Sequence, residues 1–132
     1  MRLWHKKLVS SLPRQQLIGQ WRECCCIAAN LAKSGTPNHI LVNKMMDYPI
    51  NHFFTYSINH VANEMQSRGY NVDPEKFWKH FPDMMNYTAI SDDDLYKNWH
   101  NNRYYNQCYA NLEEKFDCGG ITENEWNKIN GK

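Results

Sequence analysis

The chain has 132 residues, enough for one domain with a hydrophobic core, and its 42% hydrophobic and 22% charged residues exclude an intrinsically disordered protein. It lacks the roughly 20 consecutive apolar residues of a membrane helix, the apolar region of a signal peptide, and the paired cysteines of a disulfide framework, so we expect a reducing cytoplasm. The net charge is +1, but residues 1–44 hold seven Lys/Arg and one acid, which reflects either chance clustering on a solvated surface or attraction of this end to a polyanion.

The first predicted helix runs from Pro13 to Gly35. Proline suits the first turn of a helix, and glycine readily adopts the left-handed conformation that ends one. Apolar residues recur at spacings of three and four, as expected for one buried helix face: Leu17, Trp21, Cys24, Ala28 and Leu31.

Two helices are predicted in the next segment. The stretch GTPNHILVNKMMDYP predicts a short helix with Thr36 as the N-cap and Pro37 in the first position, ending before Pro49. A longer helix over residues 50–67 is expected to end at Gly69. Its predicted buried residues are Phe54, Ile58, Val61 and Met65.

Three further helices complete the predicted fold. Asp73-Pro74 begins a short helix that stops before Pro82 and supplies aromatic packing residues. Ser91 and the three aspartates after it predict the start of a long helix reaching about Asp117, because carboxylates favour the positive end of the helix dipole. Thr122 and Glu125 form a capping box for a last short helix. With strand patterns nearly absent, we predict one compact all-α domain over residues 1–132, with the N-terminal segment packed against the first helix.

The first helix also has a polar face that needs an explanation. Glycine inside a helix costs about 1 kcal/mol relative to alanine, and Gly19 lies one turn before Glu23, where it clears space beside the carboxylate. The alternatives are an ordinary exposed surface or a glycine retained for tight packing of another segment. Residues on this face are Gly19, Arg22, Glu23, Cys26 and Asn30.

Aromatic and basic residues alternate between Leu95 and Phe116, as in surfaces that stack on bases. We predict that Tyr105, Cys108, Leu112 and Phe116 pack in the core because they share helical spacing. The remaining candidates for DNA contact are Tyr96, His100, Arg103 and Tyr104. No metal site is expected, because consecutive cysteines point about 100° apart on a helix and no CxxC spacing occurs. The histidines have no nucleophile partner at a recognisable spacing.

The opening MRLWHKKLVSSLPRQQLIGQWRECC resembles the start of the phage-type pyrimidine-dimer DNA glycosylase/AP lyase family. The resemblance runs without gaps to Arg22-Glu23 and continues more loosely through DYPINHFFTYSINHVANEMQSRGYNV, covering roughly residues 1–73. It implies an all-α DNA repair enzyme that acts on pyrimidine dimers or abasic sites in double-stranded DNA, as a monomer and without a cofactor or metal.

The resemblance also implies an unusual nucleophile, the α-amine of the N-terminus, with Glu23 beside it. An α-amine has a pKa near 8, well below that of lysine, so at neutral pH much more of it is free to attack C1′ of a nucleotide. The catalytic candidates are Met1, Arg2 and Glu23. Arg22 is expected to hold a phosphate. Further phosphate contacts are expected from Arg2, Lys6, Lys7, Arg14, Lys33 and Arg103.

The chain departs from the family pattern at several positions. Methionine is normally removed only before a small residue, so Arg2 predicts that Met1 is retained. Leu3, Gln16 and Cys26 stand where the phage protein has arginine, histidine and arginine. Two alternatives therefore stay open: a non-catalytic DNA-binding relative of the same fold, and a helical module that binds a protein or small ligand through the Glu23 pocket.

Overall fold

The computed structural model describes residues 1–131, and the fold is helical, with no strand in this range. The α-helices are α1 Arg14–Ser34, α2 Ile50–Phe54, α3 Asn63–Ser67, α4 Glu75–Trp78, α5 Asn102–Asp117 and α6 Glu123–Ile129. Two 3₁₀ turns cover Val9–Ser11 and Asn43–Asp47. The all-α prediction is confirmed.

The longest helix, α1, has the predicted bounds. Pro13 precedes it, and Gly35 ends it with φ 72°, donating its N–H to the Leu31 carbonyl. The apolar face is buried as expected, with Leu17, Cys24 and Ala28 fully inside. One core cluster unites this face with side chains from residues 50–67, α4 and α5.

The second long helix is continuous over residues 50–67, as predicted, but its middle is not α-helical. Thr55–Ala62 is π-helical and joins α2 to α3 without a break. We call this whole stretch the central helix. Phe54, Val61 and Met65 are buried as predicted, whereas Ile58 is only partly buried. Gly69 follows the end with φ 81°, so the predicted stop is confirmed.

The predicted helix from Thr36 is wrong over most of its length. Only Asn43–Asp47 is helical, and as a 3₁₀ turn. Thr36 does not cap a helix; its hydroxyl accepts a hydrogen bond from the Asn38 N–H, and Asn38 has φ 58°. A left-handed residue at the second position is incompatible with a right-handed helix that starts at Pro37.

The predicted start of the fifth helix at Ser91 is also wrong, because α5 begins eleven residues later. Ser91 does accept the Asp94 N–H, but the turn does not propagate. Tyr96 and Asn98 have φ values of 50° and 77°, which are left-handed. The Lys6 ammonium donates a hydrogen bond to the Leu95 carbonyl at 2.6 Å. Tertiary contacts from the N-terminal segment therefore replace the helical hydrogen bonds of this stretch.

The last predicted features are confirmed. Phe77 and Trp78 of α4 are buried, and Gly119 follows α5 with φ 81°. The Thr122–Glu125 capping box starts α6, with both of its reciprocal hydrogen bonds formed. Glu125 also accepts the Arg14 N–H at 3.0 Å, which ties the start of α1 to α6.

Candidate active site

The first eight residues, which we call the N-terminal segment, pass beside α1 at Gln20 and are mostly buried. Leu3, Trp4, His5 and Leu8 are each no more than 6% exposed. The segment has no regular secondary structure up to its turn at residues 6–8, so its backbone polar groups need partners from elsewhere. The predicted packing of this segment against α1 is confirmed.

Gln20 of α1 supplies those partners. Its Oε1 accepts the Trp4 N–H at 2.7 Å, and its Nε2 donates to the Arg2 carbonyl at 2.9 Å. The same Nε2 donates to Glu23 Oε2 at 3.1 Å. One buried amide therefore binds both the Arg2 carbonyl and the Glu23 carboxylate, so the backbone of the second residue lies near this acid.

The central helix and α5 hold the segment from its other sides. The Tyr56 hydroxyl lies 2.7 Å from the Trp4 carbonyl and 2.8 Å from Gln20 Oε1, so its proton is shared between two acceptors. Tyr104 of α5 donates to the Leu3 carbonyl. Burial raises the pKa of both phenols, which keeps them protonated as donors.

The side chain of Arg2 turns towards α5. Its guanidinium lies 5.3 Å from the centre of the Trp4 ring and 3.8 Å from the Cys108 sulfur. A cavity of about 280 Å³ opens beside it, lined by Arg2, Leu41, Tyr104 and Gln107. Met1 precedes Arg2 and is 40% exposed, so the N-terminal residue is at the protein surface.

The polar face of α1 is open to solvent around Glu23. Arg22 is exposed, Glu23 is half-buried, and the three ion pairs among residues 1–131 include neither of them nor the Met1 amine. A Cβ atom at Gly19 would meet no atom from outside its own helix backbone within 4 Å. Tight packing of another segment therefore does not explain this glycine, and the space beside the carboxylate is free.

The predicted phosphate contacts are dispersed over the surface. Arg22 and Lys33 lie at nearly the same angle on α1 at 100° per residue, on the face next to that of Glu23. Lys7 borders a cavity of about 530 Å³ on another side of the N-terminal segment. Arg14 stacks on the Tyr70 ring at 5.3 Å. Arg103 is exposed at the start of α5.

Lys6 has a structural position. Its ammonium donates to the carbonyls of Asp92 and Leu95, and its backbone N–H donates to His100 Nδ1 at 2.9 Å. Burial lowers the pKa of Lys6, and the neighbouring Asp93 raises it in part. The hydrogen-bonding capacity of the Lys6 ammonium is therefore used within the protein, by the backbone carbonyls of Asp92 and Leu95.

Two of the predicted aromatic contacts with DNA are wrong, because the side chains are inside. Tyr96 is fully buried and His100 is 6% exposed. Tyr96 packs edge-on to Trp99 with ring centres 4.7 Å apart. Burial and the nearby His5 and Lys6 lower the pKa of His100 to about 2, so the ring is neutral. The alternation of aromatic and basic residues in this part of the sequence did not indicate that Tyr96 and His100 are buried.

The structure shows the burial of two residues that depart from the family pattern, Leu3 and Cys26. Leu3 is a core residue with no exposed surface, which leaves no room for a charged group there. Cys26 is exposed and Cys24 fully buried, as predicted for both. Within residues 1–131, no three His, Cys, Asp or Glu side chains converge as a metal site.

A family model for pyrimidine dimer DNA glycosylases matches residues 1–77, more than half of the chain. The chain belongs to the pyrimidine dimer DNA glycosylase family. This membership gives the broad class of the protein, a DNA glycosylase whose substrate is DNA with damaged bases. No curated protein and no solved structure matches the chain.

The matched region of this glycosylase contains most of the site, but not all of it. Gln20, Glu23 and Tyr56 lie inside it, whereas Tyr104 and Cys108 lie beyond its end. Sequence reasoning missed Gln20. The sequence did offer one sign of its role. Gln20 lies at the border of the apolar face, between Gly19 and Trp21, and a polar side chain at such a border is often buried with hydrogen-bond partners.

None of the helices formed by residues 1–131 combines the length and the apolar character needed to cross a bilayer.

Proposed function

We propose that this protein is a DNA glycosylase with AP-lyase activity that acts on pyrimidine dimers or abasic sites through its N-terminal amine. The single observation that carries the proposal is the Gln20 amide, which binds both the Arg2 carbonyl and the Glu23 carboxylate. This contact keeps the beginning of the chain beside an acid on an open helix face. Double-stranded DNA with a damaged or abasic nucleotide is the proposed partner.

The reaction needs neither a metal nor an organic cofactor. The amine nitrogen bonds to C1′ of the nucleotide while the C1′–N bond to the base breaks, and the base leaves with the bonding electrons. The nitrogen gives one of its protons to the departing base, and opening of the sugar ring, with a proton from solvent to the ring oxygen, gives a protonated imine. This group acidifies the C2′ protons, so loss of one proton and departure of the 3′ phosphate cut the strand.

Glu23 has two proposed roles in this sequence of steps. Its carboxylate stabilises the positive charge that develops at the sugar, and it accepts the proton removed from C2′. Arg22, exposed and outside every ion pair among residues 1–131, is available for a phosphate. The cavity beside Arg2 and Tyr104 gives space for part of a displaced nucleotide.

We also propose the setting in which the protein acts. All five cysteines within the described residues 1–131 are free thiols, which supports a reducing compartment such as the cytoplasm. A monomer is sufficient for the chemistry, because one chain supplies both the amine and the carboxylate.

One observation favours a second candidate, a DNA-binding relative without catalysis. The Met1 amine makes no ion pair with Glu23 among residues 1–131, and retention of Met1 extends the chain by up to about 3.8 Å beyond Arg2. Such a protein would bind damaged DNA without forming a covalent intermediate.

Borohydride reduction on DNA with an abasic site separates the two candidates. The glycosylase proposal predicts a covalent adduct, and mass spectrometry of the first peptide is expected to locate the sugar on the α-amine of Met1 or of Arg2. Binding without an adduct supports the second candidate. An adduct on a lysine side chain overturns the proposed nucleophile.

The role of Glu23 is tested with Glu23→Gln. We expect strand cleavage to fall by a factor of about 10² to 10⁴, while folding is retained because the amide oxygen still accepts the Gln20 hydrogen bond. Glu113→Gln on the exposed side of α5 is the matched control and keeps full activity. Equal activity of both variants contradicts the assigned role.

A further inference from the structure

The loop between α1 and the 3₁₀ turn at Asn43–Asp47 presents two adjacent aliphatic side chains to solvent. Ile40 is 87% exposed and Leu41 50% exposed, and we call this pair the Ile40–Leu41 tip. Scattered exposed aliphatic residues are ordinary in proteins. This pair differs from scattered exposed residues in two ways: hydrogen bonds hold its backbone, and it lies beside the candidate active site.

The tip is supported from both sides. Pro37 and Val42, which flank it, are buried. Asn30 of α1 donates its side-chain N–H to the Pro37 carbonyl at 3.0 Å. Val42 donates its N–H to the His39 carbonyl at 2.9 Å, and the Leu41 N–H reaches His39 Nδ1 at 3.2 Å. These bonds hold the backbone of a short turn while its two largest side chains point outward.

The tip also borders the candidate active site. Asn30, which holds the loop, lies on the same face of α1 as Glu23, about two turns further along. Leu41 lines the cavity that also contains Arg2 and Tyr104. A DNA duplex that brings a nucleotide to Glu23 and the N-terminus therefore passes over Ile40 and Leu41.

We propose that the Ile40–Leu41 tip is a wedge that enters the base stack beside the damaged nucleotide. This inference rests on the proposed function, since it takes DNA as the ligand of the neighbouring site. Apolar side chains inserted between base steps unstack them and bend the duplex, and access to C1′ of a damaged nucleotide requires such a distortion.

The surroundings of the tip favour DNA over an apolar protein partner. Arg22 and Lys33 on the adjacent face of α1 are both exposed and unpaired within residues 1–131. Cations around a small apolar tip suit a duplex, which offers phosphates at its edge and flat apolar bases inside it. A wedge also needs the stiff backbone that the Asn30 and His39 hydrogen bonds provide.

The test uses 2-aminopurine, a base that fluoresces when it is unstacked, placed next to a tetrahydrofuran abasic analogue in a duplex. This analogue cannot form an imine, so the signal reports binding and distortion alone. The test variant carries Ile40→Ala with Leu41→Ala. Met85→Ala is the control, because Met85 is 53% exposed and its loop is attached to the central helix through Asn51 and Thr88.

We expect the wild type and Met85→Ala to raise the fluorescence several-fold at saturation, and the double variant to leave it near that of free DNA. Adduct formation on a true abasic duplex is expected to fall about tenfold in the double variant. On a single-stranded abasic oligonucleotide, where no stack has to open, its rate stays within about twofold of wild type.

Three results would overturn the wedge: no fluorescence change with saturating wild type, an equal change with the double variant, or equal losses on single and double strands. The last result would indicate a general structural role. Failure of the proposed catalysis is seen separately, as an absence of adduct from wild type on single-stranded DNA. The fluorescence on the unreactive analogue still decides whether the tip is a wedge.

Discussion

Replacement of Gln20 by methionine tests whether one buried amide holds the beginning of the chain. Methionine has a similar volume, so Gln20→Met removes the hydrogen bonds without leaving a large cavity. The Trp4 N–H is then buried without its acceptor, and the Arg2 carbonyl loses its donor. The Trp4 carbonyl keeps the Tyr56 hydroxyl.

The expected cost follows from these two lost partners. A buried polar group without a partner costs about 1–3 kcal/mol, so we expect the free energy of unfolding to fall by about 3 kcal/mol in total. In a chain of this length the thermal midpoint then falls by roughly 10 °C. Urea denaturation gives the first quantity, and amide hydrogen exchange at Trp4 reports whether the loss is local.

Gln15→Ala is the matched control, because Gln15 is an exposed glutamine on the same helix. Its unfolding free energy is expected to stay within about 0.5 kcal/mol of wild type. If Gln20→Met is equally neutral, or if exchange at Trp4 is unchanged, then the amide does not hold the N-terminal segment and the geometric basis of the proposed site is wrong.

Two further predictions concern pH and helix glycine. Burial lowers the pKa of His100 to about 2 from 6.5. The neutral ring therefore makes its full contribution to the free energy of unfolding above pH 6.5 and loses it as the pH falls. Between pH 7 and 5 we expect this residue alone to lower the free energy of unfolding by about 2 kcal/mol. His100→Asn should flatten urea-derived stability against pH, and an unchanged slope would contradict the assignment. Gly19→Ala should raise the free energy of unfolding by about 1 kcal/mol. It should also weaken binding to an abasic duplex in a titration, because the alanine methyl group enters the open space beside Glu23. An unchanged affinity would indicate that DNA does not approach Gly19.

Elements governed by local signals were predictable from the sequence. The bounds of α1 follow from Pro13 and Gly35, and the start of α6 follows from the Thr122–Glu125 capping box. In each case the residues that decide the boundary lie within a few positions of it. Helical periodicity likewise identified the buried faces of α1 and the central helix.

Elements governed by distant contacts were not predictable. Ser91 is a good N-cap, but the carbonyls after it are taken by Lys6, which is more than eighty residues away in sequence. The Thr36-Pro37 start fails for a more local reason, since Asn30, seven residues before Pro37, binds the Pro37 carbonyl. In both places side-chain hydrogen bonds from outside the predicted helix outweigh a propensity of at most about 1–2 kcal/mol.

The candidate site was predictable only in part. The polar face around Glu23 could be identified from periodicity, and its pairing with the N-terminus came from the family resemblance. The partners that hold the N-terminal segment, Gln20 and Tyr104, lie on different helices and are more than eighty residues apart in sequence, and neither residue belongs to a motif. A hydrogen bond to a backbone carbonyl leaves no pattern in the side chains of the segment it holds.

The π-helical stretch Thr55–Ala62 fixes the rotational relation between two ends of the central helix. Tyr56, near its start, binds the Trp4 carbonyl, and Arg68, just after α3, binds the carbonyls of Ser10 and Leu12. A π-helix uses more residues per turn than an α-helix. If the same eight residues were wound as an α-helix, Arg68 would turn around the helix axis and away from its acceptors, so the π-helical winding itself is what places Arg68 over the Ser10 and Leu12 carbonyls.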